Sequence, residues 1–387
     1  MPPTIADLPD VAAGLAPPAR ARFDRLFAVA QSDARIVPPP RMEDWIVNQF
    51  KYLSGRPPGT PEWRAEVLAR VGRQRIVHVL NRVTGQATLF NAVRSARPME
   101  ARSSDDLERE IEAARAKCSF CRPMDLTPAN AFGRIGQKTC ANVAAYDGWH
   151  GLVIFQEHSP LEFRRDEFTV DKVVDLLRTA RAWAEKVRAA DGEARFFFLM
   201  WNCLWKAGAS ILHGHAQMTV GRGFHYGKVE RLRRDAARYA DQEGRDYFDD
   251  LVAVHEDLGL AARWEGDVTA LAHLVPVKEK EIVLVCESLE SPDTAAAIHR
   301  ALRLYGRPPL DVKSYNLAVY LPPLGDPDPE WATFPVLVHL VDRGDLAAKT
   351  ADVGAMELYA SSVVSSDPFG VAEALRGNAE CGTRNAE

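Results

Sequence analysis

The chain has 387 residues, of which 47% are hydrophobic and 26% are charged, and its formal net charge is −5. This balance gives no general attraction to nucleic acid or to anionic membranes, so small molecules are the expected partners. No apolar run approaches the roughly 20 residues that span a bilayer. The N-terminus lacks the basic start and apolar stretch of a secretion signal, so a cytoplasmic location is expected.

The first part of the chain is predicted to hold an extension and one block of strands and helices. Residues 1–74 form the extension, which is predicted to be mostly helical and is interrupted by prolines. Residues 75–225 form the block, in which short β-branched and aromatic runs alternate with helical periodicity. Its predicted elements are strands at 76–80 and 87–90, a helix at 103–117, strands at 141–145 and 151–156, a helix at 171–190, and strands at 195–199 and near 213–217.

The same plan of strands, helix and strands returns in the second half of the chain. A polar helical connection is predicted over 226–262, and a second block follows over 263–387. The predicted elements of that block are strands at 271–277 and 281–285, a helix at 293–305, and strands at 316–321 and 336–342. The repetition predicts an α+β fold with a duplicated unit, an antiparallel-rich sheet and crossover helices, behind a helical extension.

The motif His213-Gly-His215-Ala-Gln217 is the most informative feature of the sequence. Side chains alternate along a strand, so a strand here places both imidazoles and the Gln217 amide on one face. Three polar groups on one face of a strand are unsuited to burial in a hydrophobic core. Taken alone, the motif is equally consistent with a half-exposed strand whose histidines face water.

Cysteine usage singles out one pair. Six cysteines in a chain of this length do not make a disulfide scaffold, and four of them are scattered and expected to be reduced. Cys118 and Cys121 stand as Cys-Ser-Phe-Cys, a spacing that is typical of half a zinc site or of a redox pair. A plain pair of free thiols is the third interpretation.

Four segments, in the right order, resemble the galactose-1-phosphate uridylyltransferases, which belong to the histidine-triad superfamily. The segment from Asn202 through Gly208 and Ser210 to His-x-His-x-Gln is similar to the active-site segment of that family. The other three are residues 81–86 followed by Arg94-Ser-Ala-Arg97-Pro, the Cys-x-x-Cys pair, and Phe155-Gln-Glu-His158-Ser. The resemblance extends from about residue 75 to about residue 376 and implies a histidine-triad-like unit in each block.

The resemblance also implies a bound metal ion in the first block. Cys118 and Cys121 stand where the family has its zinc cysteines, and His158 stands where it has a zinc histidine. A closed structural zinc site suits two thiolates and two imidazoles, and His213 would complete it. We therefore expect one structural Zn²⁺.

His215 is then left for chemistry, since an imidazole is a good nucleophile toward an activated phosphorus. Gln217 can donate its amide to a non-bridging phosphate oxygen, while Gly208 and Ser210 can hold the leaving phosphate. Further substrate contacts follow from matches to family positions: Arg94 and Arg97 to the phosphate of the sugar, Asn142 near the nucleotide, and Asn202. The Phe-Pro that follows this asparagine in the family is missing here.

The second block departs from the family pattern, because its own His-x-His is reduced to His339, and no iron site is expected there. The leading prediction is a nucleotidyltransferase that moves UMP between a nucleoside diphosphate hexose and a hexose 1-phosphate. An ADP-sugar or dinucleoside polyphosphate phosphorylase is the alternative. An inactive protein that binds nucleotide sugar is a third hypothesis, and a homodimer is expected from the resemblance.

Overall fold

The computed structural model describes residues 2–96, 104–136, 138–264, 266–346 and 353–377. Most of their buried apolar side chains form one continuous core. The helices are α1 (Leu8–Ala13), α2 (Pro17–Leu26), α3 (Glu43–Gln49), α4 (Pro61–Gly72), α5 (Ser104–Ala114), α6 (Pro123–Leu126), α7 (Val170–Ala190), α8 (Gly227–Glu243), α9 (Tyr247–Asp257), α10 (Pro292–Tyr305), α11 (Ala355–Tyr359) and α12 (Pro368–Gly377). None of these described helices is long and apolar enough to cross a membrane.

The described strands form two sheets, one of four strands and one of nine. The strands are β1 (Phe27–Arg35), β2 (Arg73–Asn81), β3 (Ala87–Phe90), β4 (Thr139–Ala141), β5 (Trp149–Ile154), β6 (Ala194–Asn202), β7 (His215–Arg222), β8 (Ala261–Arg263), β9 (Thr269–Ala272), β10 (Glu279–Cys286), β11 (Tyr315–Tyr320), β12 (Val336–Asp342) and β13 (Ser362–Val364). The orders are β1-β2-β3-β13 and β4-β5-β7-β6-β11-β12-β10-β9-β8.

The large sheet is built twice from the same unit. In the first half, β4 and β5 are followed by helix α7 and then by β6 and β7, in the spatial order β4-β5-β7-β6. In the second half, β9 and β10 are followed by α10 and then by β11 and β12, in the order β9-β10-β12-β11. The halves meet where β6 pairs antiparallel with β11. The predicted α+β fold with a duplicated unit is confirmed.

Helix α7 packs against one face of the first half of the large sheet and leaves the opposite face free of this helix. Its apolar side chains recur at helical spacing, and Trp183 is fully buried. An added Cβ on Gly151 would lie 2.5 Å from the Trp183 ring, so this strand position has room only for glycine. Gly151 pairs with Met218, which places that row under the helix. Side chains alternate along β7, so His215 and Gln217 lie on the opposite face.

The sequence predicted two strands of the four-stranded sheet and did not predict the other two. The predicted strands at 76–80 and 87–90 form, but they pair with β1 from the N-terminal extension and with the parallel strand β13. They do not join the large sheet, although the Thr88 hydroxyl donates to the Pro276 carbonyl at 2.9 Å. The boundaries at 74/75, 225/226 and 262/263 stay predictions.

Strand ends differ from the predictions near the motifs. The strand predicted at 141–145 ends at Ala141, and β7 begins only at His215. His213 therefore precedes the strand, because the amide of Gly214 donates to the His158 carbonyl at 3.2 Å and Phe155 donates to the Gly214 carbonyl at 2.9 Å. The His213 and His215 rings still lie near each other, since Phe120 packs edge-on against both, with centroids 5.9 Å and 5.2 Å apart.

Candidate active site and metal centre

The four side chains that the sequence proposes as metal ligands meet at one point. Cys118 and Cys121 lie in the short turns that follow α5. His158 lies in the loop after β5, and His213 lies in the loop before β7. The two sulfur atoms and one nitrogen of each ring all lie within 4.8 Å of one another. Both histidines are buried, whereas Cys121 is exposed.

Four of the six ligand–ligand distances within this cluster match those of a tetrahedral zinc site. Nδ1 of His213 lies 3.4 Å from Sγ of Cys118, 3.6 Å from Sγ of Cys121 and 3.2 Å from Nδ1 of His158. Sγ of Cys121 lies 3.3 Å from Nδ1 of His158. With zinc bonds of about 2.3 Å to sulfur and about 2.0–2.1 Å to nitrogen, a tetrahedron separates two nitrogens by about 3.3 Å and a nitrogen from a sulfur by about 3.5 Å. The donor set and its spacing therefore fit the ion.

The second nitrogen of each cluster histidine is anchored to the backbone. Nε2 of His158 lies 2.9 Å from the Ile111 carbonyl, and Nε2 of His213 lies 2.9 Å from the Phe155 carbonyl. A carbonyl only accepts, so each Nε2 carries its hydrogen and each Nδ1 turns a lone pair toward the cluster. Burial also lowers the pKa of His213 to about 4, so its ring is neutral.

His215 is buried at the start of β7 and is not part of the metal cluster. Its Nδ1 lies 2.8 Å from the His213 carbonyl, so Nδ1–H donates there and Nε2 keeps the lone pair. Phe120 packs edge-on against the ring, with centroids 5.2 Å apart. Burial lowers the pKa of His215 below its ordinary value. The arrangement leaves the lone pair on Nε2, the atom that a nucleophilic role would use.

Gln217 is buried beside His215 and has a partner on the adjacent strand. Its Oε1 lies 3.0 Å from Nε2 of His150 on β5. Asn142 also reaches this imidazole, with Nδ2 at 3.1 Å from Nε2. Gln217 and Asn142 were proposed from the sequence, whereas His150 was not. Its only sequence signal is a polar side chain in an apolar strand, and nothing in the sequence indicates its partner across the sheet.

Asn202 continues the polar row from His215 toward the second half. It pairs with Asn316 across the junction of the halves, and Nδ2 of Asn316 donates to Oδ1 of Asn202 at 2.7 Å. Asn316 also donates to the Ala207 carbonyl at 2.8 Å, and its oxygen accepts from Arg343. Asn202 is thus left with its NH₂ group available for other acceptors. Asn316 and Arg343 were not proposed from the sequence.

Gly208 and Ser210 lie exposed in the loop between β6 and β7. Gly208 adopts a φ of 93°, a left-handed conformation that favours glycine, and an added Cβ would meet nothing within 4 Å. Leu204, in the same loop, has a φ of 69°, which is unusual for a residue with a side chain. Such strain is commonly stored in functional loops. The phosphate contacts of this loop remain a prediction.

Of the two arginines proposed to bind the sugar phosphate, Arg94 lies within the described residues and Arg97 does not. Arg94 lies on a 3₁₀ helix (Ala92–Ala96), where its backbone amide donates to the Asn91 carbonyl at 3.0 Å. The pKa of Glu357 is lowered by hydrogen bonds from backbone amides and by the nearby positive charges of Lys278 and Arg94, against the effect of burial. Arg97 lies outside the described residues. The phosphate-binding roles of both arginines remain predictions.

Known proteins give further information on the fold. No protein-family model and no curated protein sequence matches the chain. Solved structures do match, at low sequence identity. An ADP-glucose phosphorylase from Arabidopsis thaliana, solved with bound ADP-glucose, is 15% identical with a TM-score of 0.58, over 77% of this chain and 97% of that one. A GalT-like protein from the same plant is 15% identical with a TM-score of 0.56, over 76% and 96%.

A uridylyltransferase structure is 13% identical with a TM-score of 0.51, over 66% of this chain and 89% of that one. The chain has the fold of the galactose-1-phosphate uridylyltransferases. The predicted fold resemblance is thereby confirmed. In this fold, His215 and Gln217 lie in the first of the two repeated units, on the face opposite α7, and the four candidate metal ligands lie in turns and loops beside them.

Proposed function

We propose that the protein is a nucleotidyltransferase that moves UMP between a nucleoside diphosphate hexose and a hexose 1-phosphate through a nucleotidyl-His215 intermediate. The observation that carries the proposal is the hydrogen bond from Nδ1 of His215 to the His213 carbonyl at 2.8 Å. This bond leaves Nε2 with its lone pair, beside the amide of Gln217 and outside the metal cluster.

In the first step, Nε2 of His215 attacks the α-phosphorus of the nucleotide sugar. A P–N bond forms, the bond from the α-phosphorus to the bridging oxygen breaks, and the sugar 1-phosphate leaves with that electron pair. The ring gains positive charge as the P–N bond forms. Its Nδ1–H already donates to the His213 carbonyl, which stabilises this charge without any proton transfer.

In the second step, a phosphate oxygen of the incoming hexose 1-phosphate attacks the same phosphorus. The P–N bond breaks, and His215 returns to its neutral form with Nε2 unprotonated. The NH₂ groups of Gln217 and Asn202 are donors that can bind the non-bridging oxygens in both steps. Dividing the transfer into two displacements gives two easier reactions in place of one.

Cys118, Cys121, His158 and His213 would hold one Zn²⁺ in this proposal. The ion would supply folding energy and order, as structural zinc sites do. The consequence for catalysis lies in two neighbours of His215. Phe120, between the two cysteines, packs on its ring, and His213 provides the carbonyl that fixes its tautomer. We also propose a homodimer and a cytoplasmic location, as the resemblance and the sequence suggest.

A phosphorylase is the second candidate, in which inorganic phosphate replaces the hexose 1-phosphate and the donor is an ADP-sugar or a dinucleoside polyphosphate. The likeness to the Arabidopsis ADP-glucose phosphorylase, with a TM-score of 0.58, favours this candidate. It uses the same histidine and differs in the donor nucleotide and in the second acceptor. A protein that binds nucleotide sugar without exchange is the third hypothesis.

Covalent labelling tests the proposal directly. The protein is incubated with UDP-glucose or ADP-glucose labelled at the α-phosphate, quenched in base, and digested to map the acid-labile adduct. We expect label on His215, release by galactose 1-phosphate and none by inorganic phosphate. Release by phosphate after labelling from ADP-glucose would assign the phosphorylase. Binding without label would assign the inactive binder, and label on another residue would overturn the mechanism.

Metal analysis tests the zinc separately. We expect one equivalent per chain in purified protein and little reaction of Cys118 and Cys121 with a thiol reagent. Less than half an equivalent, with both thiols freely titrated, would overturn the metal assignment.

A further inference from the structure

We propose that His150 is a positioning residue that holds the Gln217 amide with its NH₂ group toward the transferring phosphoryl group. This inference rests on the proposed function. His150 lies on β5 and Gln217 on the adjacent strand β7, where the register pairs Gln217 with Leu152. Since side chains alternate along a strand, His150 shares a face with Leu152 and hence with Gln217. Both polar side chains are buried, with 2% and 5% of their surface exposed.

The backbone fixes which nitrogen of His150 carries the hydrogen. The amide of Tyr146 donates to Nδ1 at 3.1 Å. A backbone N–H only donates and cannot be inverted, so Nδ1 must keep its lone pair and the hydrogen of the neutral ring is on Nε2. Burial lowers the pKa of His150 below its ordinary value, in agreement with a neutral ring.

The orientation of the Gln217 amide follows from that tautomer. Nε2–H of His150 donates to Oε1 of Gln217 at 3.0 Å. The oxygen end of the amide is therefore occupied, and its two N–H donors point elsewhere. A reversed amide would place two donors against each other at His150. It would also place an oxygen, instead of N–H, next to the phosphate oxygens.

Asn142 does not replace Gln217 as the acceptor of the hydrogen bond from His150. Its Nδ2 lies 3.1 Å from the same Nε2, while its Oδ1 accepts from the Ala144 amide at 3.0 Å. Nδ2 is a donor like Nε2–H, so the two cannot form a hydrogen bond in this orientation. Gln217 is the buried group that presents an oxygen to His150.

A double-mutant cycle tests the inference. The variants are His150→Leu, Gln217→Ala and the double substitution, and the readout is the single-turnover rate of His215 labelling by UDP-glucose or ADP-glucose. His150→Leu should slow labelling by about 10²-fold, the effect of losing one oriented donor. It should leave the half-saturating concentration nearly unchanged. In the Gln217→Ala background the same substitution should have almost no further effect. Multiplicative losses would overturn the inference.

Two further variants separate positioning from structure. His150→Gln should restore most of the rate, because its amide nitrogen can donate where Nε2–H does. His225→Leu is the matched control: His225 is buried and its Nδ1 accepts from the Tyr226 amide at 2.8 Å. This control should lose stability and keep the labelling rate. A rate loss for His225→Leu as large as that for His150→Leu would overturn the inference.

The tautomer is measured without catalysis. In ¹⁵N imidazole NMR of the wild-type protein, His150 should be the Nε2–H form, assigned by the signal missing in His150→Leu or His150→Gln. An Nδ1–H tautomer would overturn the inference. If neither nucleotide sugar labels the wild-type protein, the proposed function fails, while this spectrum still decides whether the Gln217 amide is held as inferred.

Discussion

The two halves of the large sheet have the same strand order, but their polar side chains differ. β7 begins with His215 and Gln217, whereas the corresponding strand β12 begins with Val336 and Val338. In the first half, internal hydrogen bonds occupy Nδ1 of His215 and Oε1 of Gln217, which leaves Nε2 and the NH₂ group for the proposed substrate. In the proposed function, these groups place the chemistry in the first half.

In the second half a buried carboxylate lies between two imidazoles. Glu281 is buried, and its Oε1 lies 3.0 Å from Nδ1 of His339. Its Oε2 lies 3.5 Å from Nδ1 of His273 and accepts from the Val277 amide at 2.6 Å. Burial opposes ionisation of this carboxyl, but the two imidazoles overcome it and lower the pKa of Glu281 to about 2. This cluster contributes to stability, while Nε2 of His339 is buried and has no hydrogen-bond partner among the described residues.

Removing the proposed nucleophile from the first half gives the largest expected effect. His215→Ala should lower nucleotidyl transfer by more than about 10³-fold, because no other group can form the covalent intermediate. Zinc content and the circular dichroism spectrum should stay unchanged. The matched control is His339→Ala in the second half, which should keep the transfer rate and lower the melting temperature. Near-normal exchange by His215→Ala would contradict the comparison.

The metal cluster gives the next effect, on stability. Cys121→Ser or His213→Ala should reduce bound zinc to well below one equivalent, because a closed site loses affinity with any ligand. Metal binding energy is also folding energy, so the melting temperature should fall by about 5–10 °C or more. Cys381→Ser, which lies outside the described residues, is the control and should keep both. Full zinc occupancy in the first two variants would exclude the proposed ligand set.

The lowered pKa of Glu281, in the second half, predicts that the free energy of unfolding depends on pH. Its pKa is about 2 in the folded chain against an ordinary value of 4.5. The stability from this shift, about 3 kcal/mol by linkage, is present above pH about 4.5 and is lost as the pH falls toward 2. Glu281→Gln should therefore lower the free energy of unfolding at pH 7 and flatten its acid limb. Denaturant titrations from pH 2.5 to 7 measure this, and an unchanged acid limb would contradict it.

The smallest effect is expected at the glycine between the two motif histidines. An added Cβ on Gly214 would lie 2.7 Å from Cδ2 of Phe155. The ring of Phe155 packs against Trp201 with centroids 4.6 Å apart, so it cannot yield freely. Gly214→Ala should cost about 1–3 kcal/mol by overpacking. Gly148→Ala, where a Cβ meets nothing within 4 Å, is the control and should be nearly neutral. Equal denaturation midpoints for both variants would rule out the overpacking.

The sequence by itself determined the features that depend on nearby residues. Periodicity predicted α7 and α10 to within one or two residues of their observed bounds, since one buried face over several turns is a strong local signal. The Cys-x-x-Cys spacing and the His-x-His motif indicated metal and phosphorus chemistry. The repeated order of strands and helices indicated the duplicated fold, because each unit carries its own apolar pattern.

Only the tertiary structure decided which distant groups meet. The tautomer of His150 depends on Tyr146, and its partner Gln217 is 67 residues away in the chain. Likewise, β1 and β13 join β2 and β3 through pairings that no local pattern specifies. Either nitrogen of a neutral imidazole can carry the hydrogen, so the groups that face the ring in the folded chain decide which one donates. The motif residues were therefore visible in the sequence, and the groups that orient them were not.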